Sequence, residues 1–398
     1  MKSSSASSCS SVIIVGGGPA GLSMACALAD AGIASTVLEA APVDQLSEPP
    51  EDGREIALTH RGMGILQQLG AWQDLPPEAI SPLREARVFN GRADQSLHFA
   101  DARSPLGVLV PNHWLRRIAW QGLQRRPLAQ LRAGVRVKAL HLDGAQARVS
   151  LESGETLHAP LIIAADSRFS SLRRQAGIGA EMRDFGRSVL LARIEHELPH
   201  RDQALECFHH GHTMAWLPLG GLSPQLSSLV LTLPTDQAEL QRGWDDSRWL
   251  AWVQRHSQGR LGQLRLAGPR HHYPLVATYA HRFAAQRLAL IGDAAVGMHP
   301  VTAHGYNFGL YGVQRLAREL AASREALGAP APLLRYGAGH RRDTWHLYQG
   351  TNAVVKLFTD ERAPARLLRH SVLRLAQALP PLKAAIATQL TSRSGNMR

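Results

Sequence analysis

The segment Gly292–Leu310 contains the residue types best suited to hold a bound ring system. It follows an apolar run, Leu288–Ile291, which predicts a buried strand. Asp293 offers a carboxylate to a ligand hydroxyl, Pro300 offers a rigid face, and Gly305 lets a ligand approach the backbone closely. Placed in this order between a strand and a helix, these residues suit a flavin. Asp293 would then bind a ribityl hydroxyl and Pro300 would flank the ring.

A helix is predicted to begin near Tyr306 and Asn307, directly after this segment. Its free N–H groups and positive dipole end would face the N1–C2=O edge of the flavin, which is negative when the flavin is reduced. His304 and Tyr306 also stand where a general base for a phenol could act. A hydrogen bond that orients the backbone is an equally good interpretation of His304.

A second cofactor signature lies near the N-terminus, where a short apolar strand, Val12–Val15, precedes a glycine-rich turn. Pro19 suits the first position of the helix that follows, and the strand Ser35–Leu38 ends at Glu39. This acid stands about 20 residues beyond the glycines, where it would bind a ribose hydroxyl. The turn residues expected to hold the cofactor are Gly16, Gly18, Pro19, Ala20 and Gly21.

With these two segments, the chain resembles the FAD-dependent aromatic hydroxylases related to para-hydroxybenzoate hydroxylase, and most resembles the hydroxylases of ubiquinone biosynthesis. A third motif, Ala164–Arg173, is similar to the family's Asp-Gly motif and contains Asp166, but Ser167 stands where the family has glycine. In the family this motif binds both the flavin and the nicotinamide. With Ser167 in place of glycine, the resemblance does not decide whether this chain makes the nicotinamide contact. The segment Met298–Gly305 resembles a branch that hydroxylates a demethoxylated ubiquinol ring.

Two further segments extend the resemblance. Arg54 resembles the family's arginine that enters the flavin site after the second strand, and a surface arginine is the alternative interpretation. Asn112 and Arg116 lie in a stretch, Val110–Arg116, that resembles the one contributing a side chain towards the FAD. The resemblance therefore implies that these side chains belong to the cofactor site.

The fold class implied by the resemblance is α/β. A Rossmann-like FAD-binding domain of the glutathione reductase type is expected at residues 11–180 and 281–330, with an antiparallel-sheet substrate domain inserted at residues 181–280. Residues 331–398 are predicted to be helical, and a stretch around residues 366–379 shows a basic amphipathic pattern that suits either a membrane surface or packing on the domain.

Composition limits the classes of function. The chain has 398 residues and a net charge of +12, and no apolar run is long enough for a transmembrane helix. Three widely spaced cysteines indicate neither a metal site nor a disulfide framework, and a cytoplasmic protein, peripheral at most to the inner membrane, is expected. The charge suits a solvated surface or anionic lipid, and no nucleic-acid-binding motif accompanies it.

The activity implied by the resemblance is hydroxylation of the aromatic ring of a prenylated phenol or quinol in ubiquinone biosynthesis. NADH or NADPH would reduce the FAD, and O2 would react through a C4a-hydroperoxyflavin. The alternatives are hydroxylation of a secondary-metabolite or catabolic aromatic, reduction of an isoprenoid lipid, and a non-catalytic role in a quinone-synthesis complex. The substrate, the ring position, the choice of nicotinamide and the oligomeric state stay open.

Overall fold

The computed structural model describes residues 12–90, 96–100, 105–144, 146–209, 211–298 and 304–359. The strands are β1 Val12–Val15, β2 Ser35–Leu38, β3 Glu55–Leu58, β4 Ser81–Leu83, β5 Glu85–Asn90, β6 Ser96–Ala100, β7 Gly107–Pro111, β8 Ala129–Arg132, β9 Val137–Leu142, β10 Ala147–Leu151, β11 Thr156–Ala159, β12 Leu161–Ala164, β13 Ala180–His196, β14 Gln203–Phe208, β15 Thr213–Pro218, β16 Leu226–Pro234, β17 Leu264–Leu266, β18 His271–Ala280, β19 Ala284–Ala285, β20 Leu288–Leu290 and β21 Val296–Gly297. The α-helices are α1 Pro19–Asp30, α2 Asp44–Ser47, α3 His60–Gln68, α4 Asn112–Gln124, α5 Ser171–Gln175, α6 Thr235–Arg242, α7 Asp246–His256, α8 Gly305–Ala321 and α9 Pro330–Thr359.

A mainly parallel sheet forms the first layer, with the strand order β19-β20-β12-β1-β2-β8. Strands β1 and β12 consist of Val, Ile, Leu and Ala residues that are buried throughout, as expected for a sheet covered on both faces. Strand β1 pairs in parallel with β2 and β12, and β12 pairs in parallel with β20. The carboxyl ends of these four strands therefore lie at one edge of the sheet.

A larger sheet has the order β21-β18-β13-β16-β15-β14-β5-β6, with β17 also paired to β13. Its pairs are antiparallel except for β14 with β5, which run parallel. One face packs against α6 and α7, where the buried rings of Trp216 and Trp249 contribute to an apolar core. The predicted antiparallel sheet is thus confirmed, with one parallel pair added.

The large sheet and the parallel sheet meet next to the end of β20. Strand β21 follows the turn at Asp293 and pairs with β18 through Thr278 and Gly297. A small third sheet, β3-β7-β4, lies beside them, and a hairpin sheet, β11-β10-β9, precedes β12. The chain therefore passes directly from the predicted cofactor motif into the large sheet.

One local prediction was wrong in part. The sequence predicts a helix over residues 53–70; α3 at His60–Gln68 confirms it, but Glu55–Leu58 form the strand β3, which pairs with β7. The helix cannot begin earlier because Thr59 is its N-cap and accepts a hydrogen bond from the Gly62 N–H. In the C-terminal region α9 is helical as predicted, while residues 366–379 lie outside the described residues. The domain boundaries stay a prediction.

Within the part of the chain that the structure describes, no helix is both long and apolar enough to cross a membrane.

Candidate cofactor and substrate site

Four predicted site segments meet at the carboxyl edge of the parallel sheet. Gly16 follows β1, Glu39 follows β2, Asp166 lies just beyond β12 and Asp293 lies just beyond β20. Because these strands are parallel neighbours, residues far apart in the chain come together here. Ligands of open α/β sheets bind at such an edge, so the site lies where the fold predicts it.

The glycines of the glycine-rich turn have two different roles. Gly16 and Gly21 allow close packing, and Gly18 allows a ligand to approach the backbone. Gly16 has φ +113°, and a Cβ at this position would clash with the carbonyl of Ala165. A Cβ at Gly21 would clash with the carbonyl of Gly16, so both glycines let the turn pack closely. A Cβ at Gly18 would meet no atom within 4 Å, which leaves the backbone at the start of α1 open to a phosphate group.

The two residues after Gly18 form the start of α1. Pro19 takes an early position in the helix, as predicted from its fixed φ. The Ala20 methyl lies 3.0 Å from the position of a Cβ built on Gly292, which has φ +56°. Ala20 and Gly292 therefore allow α1 and the turn after β20 to pack closely.

Glu39 holds the glycine turn from the next strand. One carboxylate oxygen accepts a hydrogen bond from the Gly17 N–H, and the other accepts one from the Ala41 N–H at 2.7 Å. Each carboxylate oxygen has further acceptor capacity, so a ribose hydroxyl can still donate to it. Glu39 thus orders the turn and remains able to bind a ligand.

The motif around Asp166 forms the start of α5. Asp166 Oδ2 accepts a hydrogen bond from the Ser171 N–H at 2.9 Å, while Asp166 Oδ1 is buried with no hydrogen-bond partner among the described residues. Ser167 is exposed, and its hydroxyl accepts a hydrogen bond from the Phe169 N–H at 3.2 Å. The serine therefore sustains the turn in which the family has glycine.

Two arginines that the sequence analysis did not single out join this motif to Asp293. Arg168 Nη2 lies 2.9 Å from Asp293 Oδ2, and Arg168 Nη1 donates to the Val276 carbonyl at 2.9 Å. Arg173 is buried and donates to the Ala294 carbonyl at 3.0 Å. Desolvation lowers the pKa of Arg173 despite the field of Asp166. Both arginines lie within the segment Ala164–Arg173, but only their long-range contacts show what they bind.

A second missed residue, Asp52, brings Arg54 and Asn112 together. Asp52 Oδ2 accepts hydrogen bonds from Arg54 Nη2 at 2.5 Å and from Asn112 Nδ2 at 2.7 Å. The Tyr273 hydroxyl donates to the Asp52 carbonyl at 2.8 Å, and the Arg54 guanidinium lies over the Tyr273 ring. Burial alone would raise the pKa of Asp52, but the hydrogen bonds from Arg54 and Asn112 outweigh it and lower the pKa.

Arg116 lies on the same helix as Asn112 but makes a different contact. Its Nη2 donates to the Gln45 carbonyl at 3.3 Å and so connects α4 to α2. The hydrogen bonds around Asp52 do not include Arg116. Of the three side chains expected from the resemblance, Arg54 and Asn112 share Asp52, whereas Arg116 lies near enough to act on the charge of Tyr273 but does not bond to Asp52.

The start of α8 faces the same edge and is held by Asn307. The Asn307 side chain accepts from the Thr59 N–H at 3.1 Å and donates to the Ala57 carbonyl at 2.8 Å. The Thr59 hydroxyl lies 2.6 Å from the Tyr311 hydroxyl. Asn307 therefore positions the helix through its side chain. Any contact it makes with a flavin would come from its backbone N–H.

The helix N-terminus has the properties expected of an anion-binding end. His304 is the N-cap, and its side chain provides no cap hydrogen bond to the described residues. A Cβ at Gly305 would meet nothing within 4 Å, so a ligand can approach the backbone closely at this end of α8. Pro300, predicted to flank the flavin ring, lies outside the described residues.

His304 and Tyr306, the two candidate bases, are both shielded from solvent. His304 is buried, with its ring 5.6 Å from that of Phe308. The Tyr306 hydroxyl is buried without a hydrogen-bond partner among the described residues, and burial raises the pKa of Tyr306. Tyr306 thus stays protonated near neutral pH and is better suited to donate a hydrogen bond than to accept a proton.

A buried carboxyl, Glu55, lies between the small sheet and the large one. Its Oε1 is 3.3 Å from Arg193 Nη2, and its Oε2 is buried with no hydrogen-bond partner among the described residues. Burial raises the pKa of Glu55 to about 7, although Arg193 acts in the opposite direction. Sequence reasoning missed this pair because β3 and β13 are far apart in the chain.

These features together fit FAD. The open backbone at Gly18 suits a pyrophosphate, Glu39 a ribose, Asp293 a ribityl hydroxyl and the start of α8 an electron-rich ring edge. The fold and the site therefore define a flavoprotein with a Rossmann-like cofactor domain and an attached sheet.

The chain belongs to the FAD binding domain family, whose model matches residues 9–351. The ubiquinone hydroxylase UbiM of Neisseria meningitidis is 44% identical over 392 residues, which cover 96% of this chain and 84% of that protein. The ubiquinone hydroxylase UbiL of Rhodospirillum rubrum is 37% identical over 384 residues, which cover 95% and 89%. The predicted family resemblance and the predicted FAD cofactor are confirmed.

A solved structure supports the fold. Klebsiella pneumoniae HpxO, crystallised with FAD and uric acid, matches this chain with a TM-score of 0.75 at 20% identity, and the match covers 97% of each chain. The predicted fold class, a cofactor domain with an added sheet and a helical C-terminus, is confirmed.

Proposed function

We propose that this protein is an FAD-dependent monooxygenase that hydroxylates the aromatic ring of a prenylated phenol or quinol in ubiquinone biosynthesis, using NADH or NADPH and O2. The observation that carries the proposal is the match to two ubiquinone hydroxylases along nearly the whole chain, at 44% and 37% identity. The ring position stays open, including the demethoxylated position.

The residues of this chain would bind and orient the cofactor. Gly18 would admit the pyrophosphate, Glu39 would bind a ribose hydroxyl and Asp293 a ribityl hydroxyl, with Arg168 fixing the Asp293 carboxylate at 2.9 Å. The first N–H groups of α8 would stabilise negative charge at one ring edge. Bound FAD would supply the transfer of electrons from the nicotinamide to O2 and of one oxygen atom to the ring.

The face of the large sheet opposite to α6 and α7 suits an apolar substrate. We name a cluster on this face the apolar floor. Its members are Phe185, Val189, Leu191, Val230, Tyr273 and Leu275. Such a surface would hold an aromatic ring with a prenyl chain and would exclude water from the reaction. Of the two candidate bases, His304 is better suited than Tyr306 to take a phenolic proton, because burial keeps Tyr306 protonated.

A prenylated substrate also favours a place at the membrane surface. The net charge of +12 would favour anionic lipid headgroups. We therefore include cytoplasmic, peripheral association with the inner membrane, or with a quinone-synthesis complex, in the proposal.

The first test is the lipid-quinone profile of a strain lacking this gene, grown with oxygen and measured by mass spectrometry. We expect a prenylated phenol or quinone one oxygen short of the mature product. The wild-type gene should restore the product, and Asp293→Ala should not. An unchanged profile in a strain without a second such enzyme would move the activity to secondary-metabolite or catabolic aromatics. Restoration without oxygen would instead indicate a reductase.

A further inference from the structure

A cleft of about 580 Å3 opens between the end of α6, the start of α7 and the first residues of β18. We name it the basic cleft, because its lining includes Arg242, Arg270, His271 and His272 together with one carboxylate, Asp246. Its volume lies within the range of about 300–1,000 Å3 that is usual for small-molecule sites. The basic cleft is therefore large enough for a ligand of nucleotide size.

Arg270 forms a fixed wall of the basic cleft. Its Nε lies 2.9 Å from Asp246 Oδ1, and its Nη1 donates to the Gln241 carbonyl at 3.1 Å. Its Nη2 donates to the Trp244 carbonyl at 2.5 Å. Arg270 therefore binds the carbonyl groups at the end of α6 and also engages the carboxylate of the lining.

The other nitrogen groups of the basic cleft are largely unused. Arg242 Nε lies 3.0 Å from Glu239 Oε2, but the two terminal nitrogens of Arg242 form no hydrogen bond with the described residues. His272 Nε2 is buried and has no hydrogen-bond partner in the described part of the chain, since Glu239 Oε1 is 3.7 Å away. His271 forms no side-chain hydrogen bond within the described ranges either. The cleft therefore has more donors than acceptors.

A ligand for such a cleft must bring hydrogen-bond acceptors. The terminal nitrogens of an arginine match the oxygens of a phosphate group, and an imidazole can donate from either nitrogen. Glu239 and Asp246 oppose an anion, but each lies within 3.0 Å of an arginine Nε, which offsets its charge. The net charge of +12 adds a favourable field at longer range. A phosphate group is therefore the ligand chemistry that suits this cleft.

The basic cleft borders the cofactor part of the molecule. Tyr273, which lines it, donates its hydroxyl hydrogen bond to the Asp52 carbonyl at 2.8 Å, and the Arg54 guanidinium lies over the Tyr273 ring. His271 packs against Gly53, where an added Cβ would clash with the imidazole. A ligand in the cleft therefore lies beside the residues that join the large sheet to the cofactor site. This position favours a nucleotide that acts with the flavin over a lipid headgroup.

We propose that the basic cleft binds the phosphate groups of the nicotinamide dinucleotide, with the terminal nitrogens of Arg242 and the imidazole of His272 as donors. This inference rests on the proposed function, which needs such a co-substrate and does not say where it binds. The oxygens of a diphosphate would accept the hydrogen bonds that these side chains lack.

The test titrates the FAD-loaded protein with NADP+ and with NAD+, which cannot reduce the flavin, and measures binding by calorimetry. We expect the wild-type protein to bind at least one of them and inorganic pyrophosphate to compete. Arg242→Ala should weaken binding by about tenfold, at the low end for a hydrogen bond to a charged group because the side chain is exposed. Arg242→Lys keeps the charge but loses the planar fork, so it should weaken binding by a smaller factor.

Arg84→Ala is the matched control. The side chains of Arg84 and Arg242 are equally exposed, and Arg84 Nε lies 3.2 Å from Asp202 Oδ2, but Arg84 does not line the cleft. The substitution removes the same charge from the chain and should leave dinucleotide binding unchanged. It thus distinguishes a local effect of Arg242 from the loss of net charge. Arg242→Lys keeps the comparison available if the alanine variant folds poorly.

The outcomes separate this inference from the proposed function. A wild-type protein that binds neither dinucleotide, or an Arg242→Ala variant that binds as the wild type does, would overturn the role of the cleft whatever the quinone profile shows. Binding that weakens in Arg242→Ala and not in Arg84→Ala would support the cleft even if deletion of the gene left the quinones unchanged.

A second arm of the test examines lipid headgroups as the source of the phosphate. The wild-type protein and Arg242→Ala are sedimented with vesicles of phosphatidylcholine and phosphatidylglycerol, and we expect the two proteins to bind equally. If Arg242→Ala lost the vesicles but kept the wild-type affinity for the dinucleotide, the cleft would bind a lipid headgroup and the proposal of a nucleotide would be overturned.

Discussion

Single residues of the glycine turn have separate physical roles. Gly16 needs its positive φ of +113° and the space that a Cβ would take from Ala165. Gly18 has φ −70° and ψ 175°, a conformation that any residue can adopt, and its surroundings are open. Gly16 therefore serves the fold, and Gly18 is free to serve a ligand.

This difference predicts opposite effects of two alanine substitutions. Gly16→Ala should lower the free energy of unfolding of the FAD-free protein by more than about 2 kcal/mol, because a methyl group meets backbone at an unfavourable φ. Gly18→Ala should cost less than about 1 kcal/mol in the FAD-free protein, yet weaken FAD binding at least about tenfold, because the methyl group stands where the pyrophosphate must approach.

Thermal unfolding of the FAD-free variants and FAD titration by flavin fluorescence would measure both effects. A Gly18→Ala variant that binds FAD as tightly as the wild type would contradict the proposed pyrophosphate site. Equal destabilisation by the two substitutions would contradict the assignment of separate roles.

At the scale of elements, the start of α8 depends on its attachment to the junction of β3 and α3. Asn307 is fully buried and bonds both to the backbone before α3 and to Thr59, which also contacts Tyr311. This attachment fixes the direction in which the first N–H groups of α8 point. A flavin ring bound there would therefore depend on Asn307 indirectly.

We expect Asn307→Ala to lower the free energy of unfolding by about 2–4 kcal/mol, since it leaves several buried groups without partners. FAD affinity should fall as well, because α8 loses its fixed position. Chemical denaturation and FAD titration would measure the two effects.

A control on the same two helices is Gln314→Ala, which removes the hydrogen bond that Gln314 donates to Gln68 at 3.1 Å and the one it accepts from Arg61 at 3.3 Å, neither of them buried. This change should cost less than about 0.5 kcal/mol and leave FAD affinity unchanged. If Asn307→Ala affected the protein as little as the control, α8 would not depend on this attachment.

At the scale of the whole molecule, the cofactor part and the large sheet are joined by polar contacts as well as by chain connections. Glu55 of β3 contacts Arg193 of β13, and the Tyr273 hydroxyl of β18 donates to the Asp52 carbonyl. Arg168 reaches the Val276 carbonyl of β18. These contacts connect β13 and β18 of the large sheet to Glu55, Asp52 and Arg168 of the cofactor part.

The Glu55 contact should make stability depend on pH. Its folded pKa of about 7 is above the ordinary value of 4.5, so the folded state holds a proton that the unfolded state releases between these values. Stability should therefore fall as the pH rises from about 4.5 to about 7, by roughly 3 kcal/mol, and stay level above that.

Glu55→Gln should remove this dependence. The variant should be more stable than the wild type by about 2–3 kcal/mol at pH 8 and similar to it near pH 4.5. Urea denaturation at the two pH values would measure the difference, with Glu195→Gln as the control from β13. A Glu55→Gln variant that is less stable than the wild type at pH 8 would show instead that the charged pair with Arg193 stabilises the fold.

The sequence by itself determined the local cofactor motifs. Gly16, Glu39 and Asp293 stand next to short apolar strands, and a strand followed by a tight turn and a helix depends on neighbouring residues, which a sequence displays directly. The family and the fold class followed from these motifs. Local sequence patterns also predicted a helix over residues 53–70. The long-range pairing with β7 makes Glu55–Leu58 a strand instead.

Only the tertiary structure decided which distant side chains meet. Arg168 contacts Asp293 across 125 positions of the chain, and Asp52 joins Arg54 to Asn112. The pairing of β13 with β16 places Leu191 opposite Val230 in the apolar floor, and a shift of one residue would turn Val230 to the other face. Strand register and packing set these contacts, and neither is encoded in the spacing of a single segment.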